Sequence, residues 1–566
     1  MKKRRSSKVI LSLAIVVALL AAVEPNAALA AAPPSAMQSY VEAMQPGWNL
    51  GNSLDAVGAD ETLARGNPRI TKELIQNIAA QGYKSIRIPV TWDSHIGAAP
   101  NYQIEAAYLN RVQEVVQWAL DANLYVMINV HHDSWLWISK MESQHDQVLA
   151  RYNAIWTQIA NKFKNSPSKL MFESVNEPRF TDGGTTDEAK QQKMLDELNV
   201  SFFNIVRNSG GQNATRPLVL STLEASPTQE RMTALYNTMT KLNDKNLIAT
   251  VHFYGFWPFS VNIAGYTKFD AETQNDIITT FDNVYNTFVA KGIPVVVGEY
   301  GLLGFDKNTG VIEQGEKLKF FEFFAQYVKQ KSISTMLWDN GQHFNRTSFK
   351  WSDPDLFNMI KASWTGRSST ASSDLIHVKQ GTAVKDTSVQ LNLNGNTLTS
   401  LSVNGTTLKS GTDYTLNSSR LTFKASQLTK LTSLGKLGVN ATIVTKFNRG
   451  ADWKFNVVLY NTPKLSSTTG TTSSFAIPTA FNGDQLATME AVYVNGGNAG
   501  PHNWTSFKEF ETTFSPAYSE GKIKLQQAFF NEVNDTTVTL KFQFWSGEIV
   551  NYTIKKSGST VTGTAS

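Results

Sequence analysis

The chain has 566 residues, no cysteine, 41 % hydrophobic and 11 % aromatic residues, and a formal net charge of +5. Its length calls for more than one domain, and the lack of cysteine excludes disulfides and thiolate metal sites. Lys2, Lys3, Arg4, Arg5 and Lys8 supply most of the excess charge, so the remainder is nearly neutral and gives no reason to expect nucleic acid or an acidic membrane as partner.

The basic start runs into "VILSLAIVVALLAAV" (residues 9–23) and then "ALA" (28–30). Together these have the charged, apolar and small-residue regions of a secretory signal, expected over residues 1–30. The apolar run is short for a membrane span, which leaves an uncleaved anchor as the alternative. The mature protein is expected to be exported and extracellular.

Between residues 37 and 365, short β-branched runs alternate with helical patterns. Eight strands are expected: "GWNLGN" from Gly47, "SIRIPV" from Ser85, "LYVMINV" from Leu124, "LMFESV" from Leu170, "PLVLST" from Pro217, "LIATVHFY" from Leu247, "PVVVGEY" from Pro294 and "ISTMLWDN" from Ile333. After the second, "AAYLNRVQEVVQWALDAN" sets Leu109, Val112, Val116 and Leu120 on one helical face. The fold class is α/β: a closed (β/α)8 TIM barrel followed by all-β modules. An open doubly wound sheet is the rival, but no strand leads into a Gly-rich phosphate loop.

Residues 366–374, "GRSSTASSD", have linker composition. Residues 375–464 then alternate like strands, with Asn-Gly turns at Asn394-Gly395 and Asn404-Gly405, and read as an immunoglobulin-like β-sandwich. A Ser/Thr-rich break at 465–474 leads to a further β-sandwich unit, 475–560, ending in the hairpin "TVTLKFQFWSGEIVNYTI".

A TIM barrel carries its site at the carboxyl ends of its strands. Collected there are Arg87, His131 and His132, Asn176 and Glu177, His252 and Tyr254, Glu299, and Trp338, from six of the eight strands. Each alone has an ordinary structural explanation; Glu173, just before its strand end, suits pairing with a cation inside the barrel. Two carboxylates without thiol, phosphate loop or acidic metal cluster point to glycosidic-bond cleavage. A separation of about 5 to 5.5 Å would make one a nucleophile and retain configuration, whereas a wider gap would admit water and invert. A metal-dependent hydrolase would need ligand spacing, and His131-His132-Asp133 offers it poorly if adjacent residues on a strand face opposite ways. No metal and no cofactor are expected.

The ordered set "GWNLGN", "IRIPVTW", "NVHHD", "SVNEP", "VHFY", "VVVGEYG" and "LWDNG" resembles glycoside hydrolase family 5 of the retaining clan A, above all its endoglucanases and xyloglucanases (subfamily 4). The resemblance implies Glu177 as acid/base and Glu299 as nucleophile. It places Asn176 on the 2-hydroxyl of the reacting sugar, Arg87 and Tyr254 on Glu299, and His131 and His252 along the same subsite, floored by Trp338. Glu177 would be held protonated by burial and by the charge of Glu299. Asn52, His132, Trp135, Trp137 and Trp257 are further substrate contacts. Trp92 and Phe259 also fall near the strand ends, with core packing as the alternative for each of these rings.

The implied substrate is a β-1,4-glucan of cellulose type, mixed-linkage β-glucan or xyloglucan, cut internally by a monomer. A β-1,4-mannanase of the same family and a non-catalytic glycan-binding protein are the alternatives. The tail resembles an immunoglobulin-like module followed by a carbohydrate-binding module of family 46. Trp504 in "GPHNWTSF" and Trp545 at the hairpin tip are its candidate sugar contacts, and the last module is expected to fold back so that Trp504 lengthens the cleft.

Overall fold

The computed structural model describes residues 35–182 and 186–565; the expected signal at 1–30 lies outside them. Eight parallel strands close into a barrel in sequence order: β1 (Gly47–Asn49), β2 (Ser85–Ile88), β3 (Tyr125–Asn129), β4 (Leu170–Glu173), β5 (Leu218–Ser221), β6 (Leu247–Phe253), β7 (Val295–Tyr300) and β8 (Ser334–Leu337). The α/β barrel expected from the alternating pattern is therefore present.

Alternation along each strand decides what fills the barrel. Leu170 and Phe172 of β4 face the covering helices, while Met171 joins Met127, Val219, Ile248, Val296 and Met336 in a lower interior layer. Helix Ala36–Ala43 closes this layer from below with Met37 and Val41. One step up the axis the interior becomes polar: Asn49, Arg87, Asn129 and Glu173 are fully buried there. The floor supplies hydrophobic stability, and the layer above it is reserved for charge.

Helix Ala106–Asp121 follows β2 as expected, but its buried face is Val112, Val115, Val116 and Ala119. Leu109 and Leu120 flank that face, half-buried against the core, because a 3.6-residue period carries them to either side of it.

The second module is two facing sheets, of five and four strands, and the third module likewise pairs a four-stranded with a five-stranded sheet. Asn394-Gly395 and Asn404-Gly405 turn as expected, all four residues having φ between 48° and 79°, the left-handed region that such hairpin turns require.

The two Ser/Thr-rich stretches are not loose tethers. Thr370–Ala371 is a strand paired with Thr387–Asn392, and Ser368, Ser369 and Asp374 are buried. Arg367 grips Glu322 of the barrel through two bonds of 2.9 and 2.8 Å. Thr468–Thr471 pairs with Thr560–Ala565 in the third module. Small hydroxyl residues resemble a linker in composition, yet they are equally the residues that fit a tight module junction.

Candidate active site

Arg87 organises the barrel mouth. Its guanidinium, fully buried, donates to Glu173 through Nε (2.8 Å) and Nη2 (3.2 Å), to Glu299 Oε1 through Nη1 (2.7 Å), to Asn49 Oδ1 (3.1 Å) and to Asn176 Oδ1 (2.7 Å). A planar fork with five donors can serve four acceptors at once, which a lysine could not. Glu173 therefore pairs with a cation inside the barrel, as its position before the strand end suggested. Asn129 completes the cage, donating to Glu173 Oε2 (2.8 Å) and accepting from the Val90 amide (3.1 Å).

Glu299 receives a second donor on its other oxygen, the Tyr254 hydroxyl at 2.6 Å. Pairing between β6 and β7 shifts register at Val251/His252, setting His252 opposite Glu299; a bulge of this kind re-aims side chains beside a site. His252 Nδ1 lies 2.9 Å from Glu177 Oε1 and 3.5 Å from Glu299 Oε2. Oxygens of Glu177 and Glu299 and this nitrogen all fall within 4.8 Å of one another. Glu177 itself has φ of +39°, a strained value for a residue with a side chain, and its side chain stays 45 % exposed. The carboxylate is thus aimed at the opening while Glu299 sits beneath it, buried.

The electrostatics depart from expectation at Glu177. Its position in the recessed mouth, partly shielded from solvent, pushes its carboxyl up, but the hydrogen bond and charge of His252, then the charges of Arg87 and Arg179, pull it down and prevail. Burial lowers His252 while Glu299 and Glu177 raise it, with a net rise. The imidazole was expected to line the subsite; it also competes with Glu177 for a proton, so the free site holds Glu177 as part of a carboxylate–imidazole pair rather than as an isolated acid.

His131 and His132 stand beyond the end of β3, so the rule for adjacent strand residues does not separate them; both approach the buried Asp55, at 4.0 and 3.8 Å. Nδ1 of His131 meets the Asn129 amide nitrogen and Nδ1 of His132 accepts from Trp135 Nε1, each at 3.1 Å. Both partners are donors, which puts the ring proton of each neutral histidine on Nε2, toward Asp55. With the protons so placed, neither Nε2 keeps a lone pair directed at Asp55 for a metal. Asp133 turns away to hold the Trp92 amide and Trp137 Nε1, both at 2.8 Å.

Trp338 is half-buried and parallel to His131, with ring centroids 6.1 Å apart. Gly51 makes room for it: a Cβ there would meet Trp338 Cη2 at 2.7 Å. The other rings divide. Trp135 and Trp257 are exposed at the mouth, whereas Trp137 is buried and covered by Arg151 at 4.3 Å, and Trp92 and Phe259 are core. Trp137 is thus packed beneath Arg151 rather than presented as an open face. Asn52 uses its backbone, through bonds with Asp55 and Asn67; the amide in the Arg87 network is Asn49, three residues earlier. Asn49, Asn129 and Asp55 went unnoticed because a lone Asn or Asp carries no periodic signal.

The third module reaches the same rim. Phe510 N donates to Asn262 O (3.2 Å), Asn262 Nδ2 donates to Ala487 O (3.0 Å), and Phe507 lies against Gly265. These contacts bring Trp504, 58 % exposed, to 6.3 Å from Trp257, 40 % exposed, with His502 beside both. Trp545 does not join them; it lies in a cavity between the modules.

A family model described as cellulase (glycosyl hydrolase family 5) matches residues 51–344. The chain belongs to glycosyl hydrolase family 5. Models of two carbohydrate binding domains, X2 and that of family 46, match residues 370–457 and 461–564, so the sandwich read as immunoglobulin-like corresponds to the X2 domain. Endoglucanase B of Clostridium cellulovorans is 35 % identical over 338 residues, covering 56 % of this family 5 chain and 74 % of the relative. The full-length tri-modular endo-beta-1,4-glucanase B of Bacillus halodurans has a TM-score of 0.92 at 59 % identity, covering 94 % of this chain and 99 % of that one. A tri-modular endo-beta-1,4-glucanase of Bacillus licheniformis, solved with cellotetraose, gives 0.78 at 32 % identity, with 94 % and 99 % covered.

Proposed function

We propose that the protein is an exported endo-β-1,4-glucanase that cleaves internal bonds of β-glucans by double displacement, with Glu299 as nucleophile and Glu177 as acid/base. The observation that carries this reading is the approach of the two carboxylates, whose oxygens come within 4.8 Å. So close an approach supports the narrow spacing of retaining enzymes over the wider gap that admits an attacking water.

Each residue then has a task set by its bonds. Arg87 and Tyr254 donate to opposite oxygens of Glu299, keeping it anionic and aimed at the anomeric carbon. Arg87 also takes Asn176 Oδ1, which turns the amide nitrogen toward a sugar hydroxyl. Substrate binding draws the shared proton from His252 onto Glu177, which passes it to the leaving oxygen as Glu299 attacks. Formation of the glycosyl ester consumes the charge of Glu299, the main influence raising His252. His252, already neutral, is then less able to take a proton back, and Glu177, now a carboxylate at the open side, accepts one from the incoming water.

Trp135, Trp257, Trp338 and Trp504 offer flat apolar faces for successive sugar rings. Because Trp504 belongs to the third module, that module contributes to the cleft itself and favours long or branched chains such as xyloglucan. The carbohydrate-binding matches and the apolar leader support a polysaccharide substrate and export; among the described residues no helix is long and apolar enough to cross a membrane. We expect a monomer, since one chain supplies the complete site.

Reducing-end release from xyloglucan, mixed-linkage β-glucan and β-mannan at equal concentration tests the substrate class: the two glucans are cut rapidly and mannan slowly. Dominant mannan cleavage would keep the chemistry and move the specificity. The anomer first released, followed by proton NMR, tests the mechanism, and an α-product would refute double displacement.

A further inference from the structure

Trp545 lines a partly enclosed cavity of about 450 Å³ where all three modules meet. From the barrel come Asn262 and Glu313, from the second module Asp374 and His377, and from the third Glu511, Tyr518 and Trp545. No residue of the cleft lines it.

The lining has the chemistry of a sugar site. Asn262 is only 4 % exposed; its amide nitrogen bonds to Val311 O and Ala487 O, yet its Oδ1 has no donor. Asp374, equally buried, is hydrogen-bonded to Glu313 and shares a proton with it, so Asn262 Oδ1 is the acceptor left open on this wall. A buried acceptor left unpaired costs about 1 to 3 kcal/mol, so this wall favours a ligand rich in donors. Two aromatic residues, Tyr518 and Trp545, also line the cavity, and the volume falls among small-molecule sites of roughly 300 to 1,000 Å³.

Charge argues for a neutral ligand. Burial pushes Glu313 and Asp374 up, Asp374 to about 6; Asp374 raises Glu313 further, whereas the hydrogen bond from Glu313 lowers Asp374, so near neutrality the pair holds a proton on the Glu313 side. A divalent cation needs oxygens that converge. Among the described residues, the sets of three acidic or histidine ligands within 4.8 Å are Asp55–His131–His132 and Glu177–His252–Glu299; none lies here.

We propose that this junction cavity is a second carbohydrate site, which binds a mono- or disaccharide of the kind the cleft releases and braces the three modules against one another. Ring stacking on Trp545 and Tyr518 and hydroxyl donation to Asn262 Oδ1 hold the sugar. The braced state is the one that keeps Trp504 beside Trp257.

The test is calorimetric titration of cellobiose into the full-length Glu299→Gln protein, which does not turn over, and into the same protein carrying Trp545→Ala or Trp545→Phe. Two sites are expected in the parent. Trp545→Ala abolishes the second, Trp545→Phe weakens it about tenfold, equivalent to roughly 1.4 kcal/mol, and both leave the cleft site unchanged. The Phe variant keeps an aromatic ring and reports even if the Ala variant fails to fold. In a wild-type background Trp545→Phe leaves hydrolysis of a soluble aryl cellobioside unaltered. One site in the parent, two undiminished sites in the Phe variant, or saturation of the cavity by calcium chloride with loss on Glu511→Gln would each overturn the proposal. None of these results depends on whether the cleft cuts glucan or mannan.

Discussion

Replacing Tyr254 by Phe removes one atom and separates the two chemical steps. The hydroxyl donates to Glu299 Oε2 at 2.6 Å; Arg87 serves the other oxygen, and His252 Nδ1, 3.5 Å from Oε2, is nearer to Glu177. A hydrogen bond to a charged group is worth about 1.5 to 3 kcal/mol. During attack Glu299 loses its charge and with it most of this bond, so the first step suffers little. During hydrolysis of the glycosyl ester the charge returns, and without Tyr254 that step loses the full stabilisation, a slowing of about 10- to 150-fold. With an activated aryl cellobioside, rapid-mixing kinetics should show a burst of aglycone equal to the enzyme concentration, with kcat and KM falling together. The Phe ring fills the same space, so thermal unfolding should not move. A fall in kcat without a burst would refute the assignment of Glu299 as nucleophile and of Tyr254 as its partner.

His252→Gln should shift the basic limb of kcat/KM to lower pH. In the native pair the last proton is held partly by an imidazole raised above its ordinary value by Glu299 and Glu177. In the variant Glu177 must hold it alone as a carboxylic acid, and an unmoved limb would show that the pair does not share the catalytic proton. Trp504→Ala should lower kcat/KM on xyloglucan by about 5- to 10-fold, the loss of one stacking ring of roughly 1 kcal/mol, with little change on an aryl cellobioside; equal losses on both would mean that the third module merely stabilises the barrel. Arg216→Met should destabilise the barrel in urea by about 3 kcal/mol or more. Its guanidinium is buried below β5, donating to the carbonyls of Phe163, Ser166, Pro167 and Leu170 and to Asn213. That end is remote from the cleft, so KM should stay constant, and an altered KM would place Arg216 in communication with the site.

The division between what was legible and what was not follows from the range of the forces involved. Strand period, helix period and turn chemistry are local, and they determined the eight barrel strands, the Asn-Gly hairpins and the positions of Arg87, Asn176, Glu177, His252, Tyr254 and Glu299 at strand ends. The motifs that resemble family 5 lie on those same local elements, which is why the two carboxylates could be named in advance. Only the closed barrel decided their environments. Glu177 meets His252 at 2.9 Å because the ends of β4 and β6 bring them together, and Glu173 lies beneath Arg87 because the strand pleat turns both inward.

The same limit explains the misplaced residues. A tryptophan near a strand end has no local signal for whether it meets solvent or a neighbouring helix; Trp257 is exposed, and Trp137 lies under Arg151. Serine and threonine at 366–374 and 465–474 had the composition of linkers, yet cross-sheet pairing made strands of Thr370–Ala371 and Thr468–Thr471. Sequence by itself determined the elements and the chemical groups they carry. Tertiary structure decided which groups share a proton, which rings face the cleft and where three modules enclose a cavity, because burial and Coulomb interactions act between residues that the chain order keeps far apart.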